Sequence, residues 1–196
     1  MKAGFIGRFK PLHNGATAIL LHLVNNYEFV KIAIGSSNMP RSLKNPFTAI
    51  ESKDMIMAVL KNYNNYSIHL IPDFGHIPKY KDGNKWKETV KKELEDVDYI
   101  YTGNEYVKNL LENDFKIKNP LKISKINVKG SLVRYKMAKN ENISQLVPKE
   151  ALLYLQENNL IKLFREKYGA DTIIQFENKD PKKLESLEEE KKKITG

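Results

Sequence analysis

Gly4-Phe5-Ile6-Gly7-Arg8-Phe9-Lys10-Pro11-Leu12-His13-Asn14-Gly15 is the stretch that decides the fold of this chain. It opens as a short apolar run between glycines, the pattern of a buried strand rather than of a helix. The run stops at Gly7, an arginine follows, and a Pro-x-His-x-Gly turn leads into residues 17–24 (TAILLHLV), which have helical length and packing residues. Such a strand–loop–helix sets backbone N–H groups and the positive end of a helix beside one imidazole, His13, and one guanidinium, Arg8. That is an anion site, and its natural occupant is a polyphosphate. The chain has no Walker A loop, so the P-loop route to phosphate does not apply.

Outward from this stretch, residues 30–35 read as a second strand, joined to the first through a helix and hence in a right-handed parallel βαβ unit. A polar loop over 36–48 leads to a helix over 49–61 and a strand over 67–72. The long polar connection 74–85 carries Gly75, Pro78 and Gly83, and connections of that length in compact domains tend to be functional. A helix over 86–94, a strand over 99–103, a helix over 105–111, a fifth strand over 122–128 and a helix over 130–138 follow. Residues 148–164 hold one or two more helices. Strand and helix alternate throughout, so the expected fold is α/β, a Rossmann-like doubly wound parallel sheet with C-terminal helices. Residues 1–150 are expected to form the domain, 151–177 its helical extension and 178–196 a charged tail.

With 196 residues and 41% hydrophobic content the chain can bury a sizeable core. It has no cysteine, which excludes disulfides, thiolate zinc sites and cysteine nucleophiles together. No apolar run approaches the roughly 20 residues of a membrane span, and Met1–Gly7 is too short and too quickly polar for a signal peptide. The cytoplasm is the expected location. The formal charge of +9 suits nucleic acid, polyanionic small molecules or simple solubility, since lysine is spread along the whole chain. Without an arginine-rich tract interleaved with aromatics, a nucleic-acid partner is not expected.

The opening string resembles the G-R-F-x-P-x-H-x-G-H signature of the nucleotidyltransferase superfamily, and most closely the archaeal-type nicotinamide-nucleotide adenylyltransferases. Further segments match in order: Gly35-Ser36-Ser37, Asn45-Pro46-Phe47-Thr48-Ala49 with Glu51, Thr102-Gly103-Asn104, Gly130-Ser131-Leu132-Val133-Arg134 and Leu146-Val147-Pro148. The resemblance implies transfer of AMP from ATP, accompanied by Mg²⁺, to nicotinamide mononucleotide (NMN), giving NAD and pyrophosphate. It implies no protein-ligated metal, no protein nucleophile, and a tendency to form homo-oligomers. Catalysis is then positioning and charge neutralisation, with His13, Arg8, Lys10, Lys44 and Arg134 as the candidates. Gly7, Phe9, Gly15, Ser36, Gly103, Asn104, Gly130 and Ser131 are implied nucleotide-binding residues, and Trp86 is the platform on which the acceptor ring would stack or else ordinary core. Independently, a Gly-Ser pair at a helix start is expected to cap that helix, with Arg134 on the same first turn.

The pattern breaks at four places. Ala16 stands where the signature has its second histidine, Lys10 where a small polar residue is usual, Lys44 where a loop arginine is expected, and Ile50 and Ser52 replace the glycine and arginine of G-E-R. Three readings of Ala16 stand side by side: a divergent enzyme in which Lys10 supplies the charge, an engineered substitution, or a nucleotide-binding paralogue with little turnover. The acceptor, and the choice between ATP and CTP, stay open at this level.

Overall fold

The computed structural model describes residues 1–124, 126 and 128–178. Five parallel strands, β1 (Lys2–Gly7), β2 (Phe29–Gly35), β3 (Tyr66–Ile71), β4 (Tyr99–Tyr101) and β5 (Ile117–Lys118), lie in the order β3-β2-β1-β4-β5. The helices are α1 (Asn14–Asn26), α2 (Ala49–Val59), α3 (Asn84–Glu93), α4 (Glu105–Leu111), α5 (Gly130–Ala138), α6 (Lys149–Glu157) and α7 (Leu160–Glu177).

Alternation along the buried strands feeds two cores, one on each face of the sheet. Phe5, Ile32 and Tyr101 point to the larger one, shared with Leu20 and Leu23 of α1, Met55 and Ile56 of α2 and Leu155 and Phe164 of α6 and α7. Ile6, Ala33 and Ile100 point to the smaller, shared with Val90 of α3 and Val107 and Leu111 of α4. Helices on both faces of a parallel sheet are the doubly wound arrangement the sequence implied. After β1 the chain builds toward β3 on one side, then crosses to β4 on the other. The crevice of such a sheet opens outside the carboxyl ends of the strands where the order reverses, here β1 and β4.

The C-terminal helices hold α5 against this framework. Gly169 of α7 packs beside Ala138 of α5, where a Cβ would meet Ala138 Cα at an ordinary contact distance of 3.9 Å. Tyr135 stacks on Phe176 at 4.1 Å between ring centroids, and Arg165 Nε donates to the Met137 carbonyl at the end of α5 (3.2 Å). The start of α1 is tied to the Leu-Val-Pro segment: Asn14 N–H donates to the Leu146 carbonyl (2.8 Å) and Asn14 Nδ2 to that of Gln145 (3.0 Å).

One expectation needs correction. The described residues of 122–128 form no strand; the fifth strand is the two-residue Ile117–Lys118, and a 3-10 turn at Pro120–Lys122 follows it. Two helices begin within 148–164, and the second runs on to Glu177 through Gly169. The expected charged tail, apart from Asn178, lies outside the described residues. Among the described residues no helix is long and apolar enough to cross a membrane.

Candidate active site

Two clefts open at the carboxyl ends of β1 and β4, and they share Ile6, Gly7 and Arg8. The larger, about 600 Å³, is lined by Arg8, Lys10, His13, Lys44, Gly130, Ser131 and Arg134, and also by Gly103, Ser124, Ile126 and Val128. The smaller, about 450 Å³, is lined by Arg8, Ser36, Asp73, Phe74, Tyr80, Trp86, Asn104 and Tyr106. Arg8, His13 and Arg134, separated by most of the chain, therefore surround one cavity.

Three of the groups in the larger cleft, His13, Arg134 and Lys10, are held by specific partners. His13 is the N-cap of α1: its Nδ1 accepts from the Ala16 N–H (3.3 Å). In the neutral ring the proton then sits on Nε2, as a donor. Burial, helped by the nearby Arg134 charge, pushes His13 down to about 4, so the ring is neutral at ordinary pH. Arg134 donates through Nη1 to the Lys10 carbonyl (2.7 Å); burial and then Arg8 bring it down to about 10, which leaves it charged.

Lys10 is only 4% exposed, and its Nζ donates to Asn45 Oδ1 (3.1 Å) and, at longer range, to the Ser36 carbonyl (3.4 Å). It has no carboxylate partner among the described residues, and burial followed by the Arg8 charge pushes it down to about 8. Arg8 and Lys44 are exposed and make no hydrogen bond or ion pair among the described residues. Arg41, by contrast, is spent on the scaffold: it pairs with Glu51 and donates to the Pro46 carbonyl (2.8 Å), while Glu51 closes a capping box with Thr48 at the start of α2.

The backbone adds the rest. The first turns of α1 and α5 face the same space, and the N–H groups of Gly15, Gly130 and Ser131 have no partner among the described residues. Gly130 makes room: a Cβ there would stand 3.4 Å from Arg134 Nη1 and 3.7 Å from His13 Cδ2. The expected Gly-Ser cap of α5 is not formed. Lys129 is the N-cap residue, it makes no side-chain cap bond, and Ser131 belongs to the first turn. Gly15 is fixed by close approach, since a Cβ would fall 2.9 Å from the carbonyl oxygens of both Ile126 and Val128. Gly15→Ala is accordingly expected to cost about 1–3 kcal/mol by overpacking, seen as a lower melting temperature.

The remaining candidates divide between the two clefts. Gly7 is fixed by the ring of Phe9, which would meet a Cβ at 2.8 Å. Phe9 lines the larger cleft but is chiefly core, edge-on to Phe5 at 5.3 Å. Ser36 lies in the smaller cleft, not beside His13; its φ of 55° turns its carbonyl to Lys10. Gly103 lines the larger cleft and Asn104 the smaller, where Asn104 also caps α4 by accepting from Tyr106 N–H (3.0 Å). Trp86 packs on the second core and also lines the smaller cleft. Sequence reasoning missed Asn45, Asp73, Phe74, Tyr80 and Tyr106. The only signal for the middle three was the length of the 74–85 connection and its neighbourhood.

No family model matches the chain. Curated relatives do. It is 31% identical over 181 residues to the nicotinamide-nucleotide adenylyltransferase of Methanococcus aeolicus, covering 92% of this chain and 97% of that one. The chain belongs to the nicotinamide-nucleotide adenylyltransferase family. Other adenylyltransferases of the same name agree: that of Methanococcus vannielii is 33% identical over 155 residues (78% of this chain, 86% of the relative), and that of Picrophilus torridus 29% over 172 (87% and 99%).

Solved structures carry the same fold. A bifunctional NMN adenylyltransferase/ADP ribose pyrophosphatase from Francisella tularensis, complexed with AMP and a manganese ion, superposes with a TM-score of 0.64 at 21% identity, over 88% of this chain and 52% of that one. A second structure of the bifunctional protein gives 0.68 at 20% identity, over 90% and 53%. The adenylyltransferase chain described here thus spans about half the length of those bifunctional proteins, and at such identity they speak for the fold.

Proposed function

We infer that this chain transfers AMP from ATP to NMN, forming NAD and releasing pyrophosphate. The observation that carries the reading is the junction of the two clefts along Ile6–Arg8: a polyphosphate cradle on one side opens directly onto an aromatic-lined cleft on the other. In this reading ATP lies in the larger cleft. Its phosphates meet Arg8, the His13 Nε2–H, Lys44, Arg134 and the N–H groups at the start of α5. NMN lies in the smaller cleft with its ring at Trp86 and its phosphate at Arg8.

The acceptor phosphate oxygen attacks the α-phosphorus; that P–O bond forms, the bond to the bridging oxygen breaks, and pyrophosphate departs with the electron pair. The protein supplies alignment and positive charge to the transferring and leaving phosphates. None of the described residues lining the larger cleft is acidic. Mg²⁺ therefore comes in with ATP, held by phosphate oxygens and water, as part of the substrate. The enzyme is read as working in the cytoplasm, where its nucleotide substrates are found.

Incubation with Mg-ATP and a panel of phosphorylated acceptors, followed by mass spectrometry and pyrophosphate detection, tests the reaction. NAD from NMN is expected. A protein that binds ATP yet releases pyrophosphate with no acceptor would overturn it.

The cradle also makes a calorimetric prediction. Lys10 is held near 8 by burial and a neighbouring cation, so a bound triphosphate stabilises its charged form and raises that value. At pH 8 binding of ATP should then take up about half a proton, falling to about a tenth at pH 7. The binding enthalpy at pH 8 should vary with the ionisation enthalpy of the buffer, and Lys10→Met should remove that dependence.

A further inference from the structure

Resting on the assignment of the smaller cleft to the acceptor, we propose that Asp73 is a specificity-determining residue that selects a pyridinium ring bearing a neutral carboxamide over one bearing a carboxylate. The smaller cleft joins two features that the phosphate chemistry does not use. One is an aromatic frame: Phe74, Tyr80, Trp86 and Tyr106, drawn from the 72–83 connection, α3 and α4. Phe74 meets Tyr80 edge-on at 6.0 Å, and Lys79 already covers a face of Tyr80 at 4.7 Å, so Trp86 and Tyr106 offer the freer ring faces. Flat rings are held on such faces, and cationic ones most strongly.

The other feature is the carboxylate of Asp73, just past the end of β3. It is pinned rather than loose. Its Oδ1 accepts from the Gly75 N–H (2.8 Å) and its Oδ2 from Ser36 Oγ (3.4 Å). Its backbone is clamped by Asn38, which accepts from the Asp73 N–H (2.7 Å) and donates to the Asp73 carbonyl (2.9 Å). Asp73 has no ion-pair partner among the described residues, so its charge is not neutralised within the chain. A carboxylate accepts about four hydrogen bonds, and among the described residues two are used.

The chemistry of the two acceptors differs at one group. In NMN the ring is a pyridinium cation with an uncharged amide, which can also donate N–H bonds. In nicotinic acid mononucleotide the same ring carries a carboxylate. A fixed anion on an aromatic frame attracts the first and repels the second. Arg8, the one basic residue among the described residues lining this cleft, stands at its boundary with the cradle, where the acceptor phosphate lies in this reading, while the Lys79 ammonium is taken up on the Tyr80 ring outside the lining.

The test uses the full chain and its only tryptophan, Trp86, whose fluorescence a stacked pyridinium quenches. Titration with each mononucleotide should give NMN a preference of roughly tenfold or more, the scale of a like-charge contact screened by nearby water. Asp73→Asn keeps the Oδ1 acceptor of the turn and removes the charge. It should weaken NMN, strengthen nicotinic acid mononucleotide and bring the two within about threefold, with ATP affinity unmoved. Asp73→Glu, which keeps the charge, should keep most of the preference. NMN binding with the same selectivity ratio in Asp73→Asn overturns the proposal and leaves the adenylyl transfer standing. Failure of NMN to bind removes the acceptor assignment and the proposal with it.

Discussion

Arg134→Ala is expected to lower kcat/KM for pyrophosphate release by about 10³-fold, mostly in kcat, with the fold intact. Arg134 lies one turn into α5, not on the first turn expected from the sequence; it is half-buried, with Nη1 donating to the Lys10 carbonyl and the guanidinium lining the cleft. Under the proposed reaction its guanidinium does two things at once: it ties α5 to the loop after β1, and it faces the charge that grows on the departing phosphates. The planar fork makes this double duty possible. A lysine at 134 has one ammonium at the end of a flexible stem and must choose between the carbonyl and the phosphate. Arg134→Lys is accordingly expected to recover no more than a tenth of the lost activity, although the charge is restored. Steady-state pyrophosphate release at saturating acceptor, with ATP affinity measured separately, distinguishes a transition-state loss from a binding loss. Rates near those of the unaltered protein for Arg134→Ala would mean that this guanidinium is a strut and nothing more.

The strand–loop–helix at the N-terminus was legible because its residues answer to local rules: a buried strand needs an apolar run, and an anion site at a helix start needs small residues and a capping group. His13 shows both at once, as cap and as cleft lining. The unbroken apolar run fits a strand buried on both faces, as Phe5 and Ile6 go to opposite cores. Residues 122–128 were misread because Ile123, Ile126 and Val128 imitate a strand. Ile126 and Val128 line the larger cleft, so their apolar character reports a cavity, not a sheet face. The real β5 is two residues long, too short to show any period.

Asp73 was illegible for a different reason, and so was the role of Asn45, although Asn45 opens one of the matched segments. Each matters through a partner distant in sequence, Asp73 through Ser36 and Asn45 through Lys10, and no spacing rule records such a meeting. Lys10 itself was a candidate from its place in the motif. Only the fold shows that it is sunk beneath the loop, so that its charge reaches the cleft from below and at a depressed pKa.

His13→Asn should separate the two duties of His13, with kcat/KM lower by about 10²–10³ and stability at neutral pH retained. Asparagine is a strong N-cap, so its side-chain oxygen can take over the bond from the Ala16 N–H, but it cannot reach the cleft with a donor where Nε2–H stands. His13→Ala should lose the rate and, in addition, about 1 kcal/mol of stability with the cap. Acid gives an independent check. Burial and Arg134 hold His13 near 4 in the folded protein, against 6.5 for a free imidazole. Above about pH 6.5 the ring is neutral in both states and contributes no pH dependence. Between there and 4 the unfolded chain takes the proton first, so stability must fall as the pH falls. His13→Asn should lack this component, and its stability should gain on that of the natural sequence in urea titrations run from pH 7 toward 4.5. The same neutrality governs the rate. In kcat/KM, which reports the free enzyme, natural sequence and His13→Asn should share every inflection between pH 6 and 8, including any from ATP itself. A limb near 6.5 that only the natural sequence shows would mean that His13 meets the phosphates as a cation, and the neutral-donor role would have to be given up.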